Sequence, residues 1–255
     1  MDAQLYVVVD LGRIAPSSDL AQALIDAGAV CVCFAGAAHE ANVTLAEILP
    51  FTAALQRAGV SVLASDAVDF AGEQRLDGLH LSGNGVVTEA INRGLEAGAH
   101  EPGAVIAALR DEFGPNANIG FHAGTSRHAA MAAAEAGADY IAFDHAAELT
   151  VAVLDNDASP ATTPDAPDAE QDTAPSAEND GEPLVSWWAA VAQLPGVAWD
   201  VRDAAEADAA SDHGAEFVAV DLAAIPEIGL SSGDRAAPDP AVVKTVLGAL
   251  VDRVA

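Results

Sequence analysis

The residues best suited to chemistry in this sequence are carboxylates and imidazoles that follow short apolar runs. Each run has the length and composition of a buried β-strand, so the polar residue after it stands where a strand ends. Carboxylates and neutral imidazoles bind divalent cations, and imidazole is the commonest general acid or base near neutral pH. The polar residues at these positions are Asp10, Asp66, Ser82, His122, Asp144, His145, Asp200 and Asp221.

Two interpretations of the acidic residues are open. If the strand ends meet at one mouth, Asp66, Asp144, Asp200 and Asp221 would together form a divalent-metal site. Alternatively, these carboxylates cap helices and turns by accepting hydrogen bonds from backbone amides. Asp66 comes just before a helical run, a position that also suits a cap.

His122 is the candidate catalytic acid or base. It ends a predicted strand directly before Ala123-Gly124-Thr125, a turn of small residues that opens a helix. His80 lies inside another short strand, where alternation of side chains points it into the core. A hydrogen-bonded core histidine and a catalytic histidine are both compatible with that position.

An anionic substrate would need cations at the same strand ends. Arg13, Arg127 and Arg202 follow predicted strands and are the candidates for substrate binding. In a chain with 39 acidic and 10 basic residues, each can instead pair with a neighbouring carboxylate. This charge balance leaves no basic stripe for phosphates, which excludes nucleic acid and anionic membranes as partners.

The elements that must position these residues alternate along the chain. Apolar runs predict strands at 5–9, 30–34, 60–63, 78–81, 118–121, 140–143, 197–199 and 217–220. Helices are predicted at 18–27, 44–58, 68–74, 102–113, 125–136, 184–193, 203–213 and 240–254. Repeated strand and helix units imply parallel strands, so we predict an α/β fold, a closed (β/α)8 TIM barrel. An open doubly wound sheet is the alternative, and the lack of an early Gly-x-Gly-x-x-Gly motif disfavours it.

One acidic segment interrupts this alternation after the sixth strand. Residues 155–183 contain nine acidic residues, five prolines and no basic residue. Such a stretch cannot bury enough apolar surface to offset its ordering entropy, so we predict a disordered insertion. Residues 1–154 and 184–255 would then form a single barrel. The insertion is either a solvated linker or a tail that binds a protein partner.

The remaining features concern the cellular environment. Cys31 and Cys33 are the only cysteines, and their spacing in one strand places them on one face as reduced core thiols. The longest uncharged apolar run, 27–38, is too short to span a bilayer, and the amino terminus has no basic signal region. We therefore expect a cytoplasmic protein.

Several segments of the chain carry motifs similar to those of a known enzyme family. Residues 62–69 and 76–81, VLASDAVD and LDGLHL, look like the family's Asn-Asp-Arg-x-Asp-Leu-Ala and Ala-Asp-Gly-Val-His-Leu-Gly-Gln region. Residues 120–125 and 135–141 are similar to its Gly-Val-Ser-x-His-Thr and Gly-Ala-Asp-Tyr-Ile-Gly segments. Residues 214–220 are similar to its Gly-Ala-Asp-Gly-Val-Ala-Val segment. In these segments the chain resembles thiamine phosphate synthase and the TenI-type thiazole tautomerases, and it is identified as a divergent member of that family.

Other family positions carry different residues. The Gln-x-Arg-Glu-Lys segment after strand two is CFAGA at 33–37, without its cations. A second magnesium aspartate is expected where the chain has SGNG at 82–85. His122 and Gly124 occupy the serine and histidine positions of the strand-five motif, and the Gly-Gly phosphate turn after strand seven is WDVR at 199–202. Most of the family's catalytic set is therefore replaced.

The resemblance implies the coupling of a pyrimidine diphosphate to a thiazole phosphate in thiamine biosynthesis, with Mg²⁺ as cofactor. Asp66 matches the aspartate of the family's Asn-Asp pair and would hold the Mg²⁺, while His122 would act as acid or base. The same would apply to a relative of the thiazole tautomerases. The alternative is a non-catalytic barrel that binds a small ligand or a protein partner.

Overall fold

A computed structural model describes residues 3–36, 44–98, 101–145, 183–230 and 235–251. Its strands are parallel and pair in chain order, and the last pairs with the first to close a barrel. The strands are β1 Gln4–Asp10, β2 Ala29–Ala35, β3 Ser61–Ser65, β4 Gly78–Leu81, β5 Asn118–Gly124, β6 Tyr140–Asp144, β7 Gly196–Trp199 and β8 Phe217–Asp221. The predicted (β/α)8 barrel is confirmed, and every predicted strand overlaps an observed one.

Helices surround the barrel and follow the strands. The helices are α1 Ser18–Asp26, α2 Leu45–Arg57, α3 Val68–Gln74, α4 Gly83–Arg93, α5 Gly103–Phe113, α6 Arg127–Glu135, α7 Leu184–Val191, α8 Ala204–Asp212 and α9 Pro240–Val251. Two short 3-10 turns, Leu222–Ala224 and Pro226–Ile228, follow β8. Two helices, α4 and α5, therefore connect β4 to β5.

The sequence analysis missed helix α4. Glycines at positions 83 and 85 lower the helix propensity of its first turn, which hid the helix from pattern analysis. Two features stabilise it in the fold. The Ser82 hydroxyl accepts a hydrogen bond from the Gly85 backbone N–H at 3.0 Å, and Val86 and Ala90 are buried against the barrel.

Side chains of each strand alternate between two apolar layers, because successive residues point to opposite faces. The outer layer lies between the strands and the helices and includes Val7 and Val9 of β1 with Leu20 of α1. The inner layer fills the barrel with Tyr6, Val8, Cys31, Cys33, Leu63, Tyr140, Ala142, Val197 and Ala219. The two cysteines are buried and free, as predicted.

A large ring and a glycine face each other inside the barrel. Tyr140 of β6 is in register with Gly120 of β5. A Cβ atom at Gly120 would stand only 1.9 Å from Cζ of Tyr140. The absence of a side chain at Gly120 therefore makes room for the Tyr140 ring to cross the barrel interior.

The predicted acidic insertion at 155–183 lies outside the described residues, apart from Pro183, which precedes α7. The last residues of the predicted helix at 240–254 lie outside them as well. No helix in the described ranges is long and apolar enough to cross a membrane.

Candidate active site

The mouth of the barrel, where the strands end at their carboxyl termini, contains a contact between His122 and Asp144. Nε2 of His122 lies 2.7 Å from Oδ1 of Asp144, across the β5 and β6 pair. The register of this pair shifts between His122 and Gly124, and Gly124 has a φ of 58°. Such an irregularity re-aims side chains at the end of a strand.

This pair has the properties of an acid–base group. The hydrogen bond from His122 lowers the pKa of the Asp144 carboxyl, which stays ionised near neutral pH. The side chains of His122 and Asp144 keep 17% and 41% of their surface exposed, so both reach solvent at the mouth. An imidazole oriented by a carboxylate can take up and return a proton.

Aromatic rings form one wall of the mouth around Trp199, the last residue of β7. The Trp199 ring stacks on the His80 imidazole, with ring centroids 4.2 Å apart and planes 9° apart. The Trp199 ring also makes edge-to-face contacts with two other rings. Its centroid lies 5.2 Å from that of His122 and 5.4 Å from that of Tyr6. Sequence reasoning did not single out Trp199 as a site residue, although its place at a strand end was the available signal.

His80 is a buried member of this wall, with 2% of its surface exposed. Its Nδ1 lies 2.9 Å from the hydroxyl of Tyr140, which lies 3.0 Å from the hydroxyl of Tyr6. Burial lowers the pKa of His80 well below the usual value, and the neighbouring His122 lowers it further. The imidazole is therefore neutral at physiological pH, and the predicted inward orientation is confirmed.

The buried histidines make the folded state sensitive to acid. The unfolded chain binds a proton at His80 below about pH 6.5, whereas the folded barrel does not, so stability falls as the pH drops below that value. Burial also lowers the pKa of His145, which acts in the same direction. We expect His80→Gln to flatten the decline in unfolding free energy between about pH 6.5 and pH 5 by up to ~1.4 kcal/mol per pH unit.

Urea unfolding at each pH measures this slope. His128→Gln is the matched control, because His128 is exposed on α6. Equal slopes in wild type and His80→Gln would contradict the assignment of His80 as a neutral core group.

A second acidic group lies where β1, β7 and β8 end. Oδ1 of Asp10 accepts a hydrogen bond from the Gly12 N–H, and Oδ1 of Asp221 accepts one from the Ala223 N–H, both at 2.8 Å. Burial raises the pKa of Asp221, and the charges of Asp10 and Asp200 raise it further, whereas Arg13 opposes them. Asp221 thus caps a turn in this structure, and Arg13 is the cation beside it.

Asp66 follows the last residue of β3 and contacts the residue before α4. Its Oδ1 accepts from the Ser82 backbone N–H at 2.7 Å, and its Oδ2 accepts from the Ser82 hydroxyl at 2.6 Å. A Cβ atom at Gly85 would stand 1.8 Å from Oδ1 of Asp66. Asp66 therefore fixes Ser82, the N-cap residue of the helix after the neighbouring strand, instead of capping its own helix, which begins at Val68 without a side-chain cap.

The four predicted metal ligands do not come together as one group. Among the described residues, no three His, Cys, Asp or Glu side chains are placed to hold a metal ion. Both oxygens of Asp66 already accept hydrogen bonds, and Gly85 packs against it where a second carboxylate would have to stand. The residues present at Asp66 therefore do not fit the Mg²⁺ site that the sequence resemblance implied.

Removal of the Asp66 carboxylate should cost stability. In Asp66→Ala the amide and hydroxyl of Ser82 lose their acceptor, and we expect a loss of about 1 kcal/mol in unfolding free energy, as for other helix caps. Urea denaturation measures it. Asp69→Ala, an exposed acid in the first turn of α3, should cost at most about half as much. An unchanged midpoint in Asp66→Ala would contradict the capping role.

The three predicted substrate-binding arginines follow β1, β5 and β7 and have different surroundings. Arg13 is half-buried beside Asp221. The guanidinium carbon of Arg127 lies 4.8 Å from the ring centroid of Trp187 on α7, in a cation–π contact. Arg202 is exposed, and its backbone N–H donates to Glu206 at 2.8 Å. Their role in substrate binding stays a prediction.

A closed barrel of parallel strands with helices around it defines the class of (β/α)8 barrels, in which active sites lie at the carboxyl ends of the strands. Residues 5–149 match the sequence model of the family described as thiamine monophosphate synthase. This match covers more than half of the chain. The chain therefore belongs to the thiamine monophosphate synthase family.

Individual relatives agree with this assignment. A thiamine-phosphate synthase from Erythrobacter litoralis is 31% identical over 182 residues, which is 71% of this chain and 66% of that protein. One from Hyphomonas neptunium is 36% identical over 92 residues, which is 36% of this chain and 34% of that protein. The chain thus spans just under two thirds of the first relative's length and about a third of the second's.

The fold also matches a solved structure. A thiamine phosphate pyrophosphorylase from Pyrococcus furiosus has a TM-score of 0.59 and 17% identity, with 98% of this chain and 95% of that chain covered. At this identity the likeness shows the shared fold alone.

Proposed function

We propose that this member of the family catalyses proton transfer on a small planar heterocycle bound at the mouth, as a thiazole tautomerase-like enzyme. The observation that carries the proposal is the 2.7 Å hydrogen bond between His122 and Asp144. In this role Nδ1 of His122 takes a proton from one ligand atom and returns it to another. Asp144 orients the ring and stabilises the imidazolium that forms between the two steps.

The wall of the mouth supports a flat ligand. Trp199 borders His122, and aromatic faces favour planar rings. Family membership supports a ring of the thiazole type, and Arg13, Arg127 and Arg202 are the candidates to bind its phosphate. A small molecule is therefore the partner that we propose for this site.

Coupling of a pyrimidine diphosphate with a thiazole phosphate is the second candidate, favoured by family membership. That reaction develops negative charge on a leaving diphosphate, which needs a metal ion or several cations. The contacts of Asp66 argue against this reaction. Its two oxygens accept hydrogen bonds from Ser82, and Gly85 packs against it, so the residues there do not fit Mg²⁺.

Two assays on one preparation test the proposal. The first follows interconversion of thiazole phosphate tautomers, by ultraviolet absorbance and by deuterium uptake from D2O, with chelator present. The second measures coupling of the pyrimidine diphosphate and thiazole phosphate with and without Mg²⁺. We expect turnover in the first assay that is lost in His122→Gln.

Mg²⁺-dependent coupling that disappears in Asp66→Asn would overturn the proposal in favour of the second candidate. Turnover in neither assay would overturn it in favour of a non-catalytic barrel that binds a small ligand. A melting temperature that rises with MgCl2 but not with NaCl of matched ionic strength would show a metal site and count against the metal-free mechanism.

A further inference from the structure

The mouth contains a second imidazole whose surroundings differ from those of His122. The rings of His80 and His122 are 5.7 Å apart, with planes at 85°. His122 hydrogen-bonds to a carboxylate, whereas His80 hydrogen-bonds to a phenol. Because a neutral imidazole carries its single N–H on either nitrogen, each partner decides which nitrogen of its histidine bears the proton.

The partner of His122 can only accept a hydrogen bond. The Asp144 carboxyl is ionised near neutral pH, so Nε2 of His122 must donate to it. The lone pair of the neutral ring is then on Nδ1. His122 therefore presents a base to the mouth.

The partner of His80 belongs to a chain of two hydroxyls. Tyr6 and Tyr140 have one proton each and share two hydrogen bonds, one between themselves and one to Nδ1 of His80. If Tyr6 donates to Tyr140 and Tyr140 donates to Nδ1, both protons reach good acceptors. In the opposite direction the Tyr6 proton would have to reach the thiols of Cys31 or Cys33, which are weak acceptors.

The favoured direction leaves Nδ1 of His80 without a proton and places the N–H on Nε2. In the described part of the chain, some side-chain nitrogens are both fully buried and without a hydrogen-bond partner. Nε2 of His80 and Nδ1 of His122 are not among them. Neither ring has a second hydrogen bond to a described residue. Each nitrogen therefore keeps a small accessible surface and has no hydrogen-bond partner among the described residues, although His80 as a whole is only 2% exposed.

We infer that His80 is a second ligand-contacting group of this site, a neutral imidazole whose Nε2–H donates a hydrogen bond to an acceptor atom of the ligand. Tyr140 and Tyr6 are positioning residues that fix its tautomer. The inference rests on the proposed function and specifies the ligand class: a planar heterocycle with a ring nitrogen or oxygen acceptor near the mobile proton.

The protons balance over a full transfer. Nδ1 of His122 removes a proton from one ligand atom, and the electron pair that remains develops negative charge on the acceptor atom. The Nε2–H of His80 stabilises that charge by hydrogen bonding and keeps its own proton. Nδ1 of His122 then returns its proton to the second ligand atom, and both histidines end in their starting states.

Nitrogen-15 NMR of the ring nitrogens, with no ligand present, tests the tautomer directly. In wild type we expect Nε2 to be protonated and Nδ1 to be unprotonated in both histidines. The protonated nitrogen faces the mouth at His80, whereas at His122 it faces Asp144. Tyr140→Phe should mix the tautomers of His80 while leaving His122 unchanged. A protonated Nδ1 at His80 in wild type would overturn the inference, whether or not the enzyme turns over.

Addition of thiazole phosphate then tests the contact. We expect the Nε2 resonance of His80 to shift on saturation, and an unchanged resonance would overturn the inference. His80→Phe keeps a flat ring against Trp199 but lacks the donor, and should lower kcat by about 10²–10³-fold. His80→Gln retains an N–H donor and should recover part of that loss.

These outcomes separate the two proposals. If wild type shows no tautomerase turnover but has the expected His80 tautomer and Nε2 resonance shift, the proposed function is wrong. The ligand contact of His80 is then still supported. If kcat is unchanged in His80→Phe, His80 does not contribute to the reaction, and the proposed function is still supported. Near-ultraviolet circular dichroism checks that each variant is folded, and the wild-type spectra decide the tautomer even where a variant fails to fold.

Discussion

Replacement of His122 by glutamine should lower the rate of proton transfer at the mouth by about 10²–10⁴-fold, the usual contribution of a positioned general acid or base. Glutamine can still hydrogen-bond to Asp144, but it has no nitrogen that takes up a proton near neutral pH. The fold should survive, because the His122 side chain is part-exposed at a strand end. Deuterium uptake from D2O and ultraviolet absorbance give the rate.

His128→Gln is the matched control for this experiment. His128 stands six residues further along the chain, exposed on the outer face of α6, and its replacement should leave the rate unchanged. A rate in His122→Gln equal to that of wild type would remove His122 from the mechanism.

Gly120→Ala should strongly destabilise the barrel, with a loss of about 3 kcal/mol in unfolding free energy. The new methyl group would stand 1.9 Å from Cζ of Tyr140. The Tyr140 ring has little room to move, because the strand backbone lies on one side and the filled barrel interior on the other. The ring must move, which also breaks its hydrogen bonds with Tyr6 and His80. Urea unfolding and near-ultraviolet circular dichroism measure the two effects.

Gly248→Ala provides the comparison. Gly248 lies in helix α9, and a Cβ atom there would have nothing within 4 Å. This substitution should be neutral or stabilise the protein by up to about 1 kcal/mol, because alanine favours a helix interior. A Gly120→Ala variant as stable as Gly248→Ala would mean that the interior adapts freely to added volume.

The sequence was most informative where local rules decide the structure. The alternation of apolar runs predicted the barrel, and Gly78–Leu81 and Val68–Gln74 were predicted with the observed bounds. Local rules failed at α4, where two glycines outweighed the signal of the Ser82 cap. Tertiary packing of Val86 and Ala90 decided that segment, and packing is not visible in a window of neighbouring residues.

The site was predictable residue by residue but not as an arrangement. Strand-end position correctly identified His122 and Asp144 as residues of the mouth, yet their contact depends on the register shift between β5 and β6. Alternation pointed His80 inward, but its chain to Tyr140 and Tyr6 crosses 60 and then 134 residues of sequence. Only closure of the barrel brings such residues together.

Asp66 shows that the contacts of a carboxylate depend on its neighbours in space as well as on its place in a motif. As a sequence feature it matched a magnesium ligand and a cap for the helix that follows it. In the fold it accepts two hydrogen bonds from Ser82, the residue that precedes a different helix, because the ends of β3 and β4 are adjacent. A magnesium site would need a second carboxylate facing Asp66. The residue that faces Asp66 here is Gly85, which has no side chain.

The fully buried thiol of Cys33 inside the barrel provides an internal reporter of how often the barrel opens. Burial raises the pKa of Cys33 to about 12 and leaves its side chain without exposed surface, so this thiol does not react with an alkylating reagent while the strands remain closed. Labelling must then wait for an opening event, and its rate divided by that of an unfolded peptide gives the equilibrium constant for opening. With Cys31 as the only other cysteine in the chain, mass spectrometry can count opened molecules without any engineered probe.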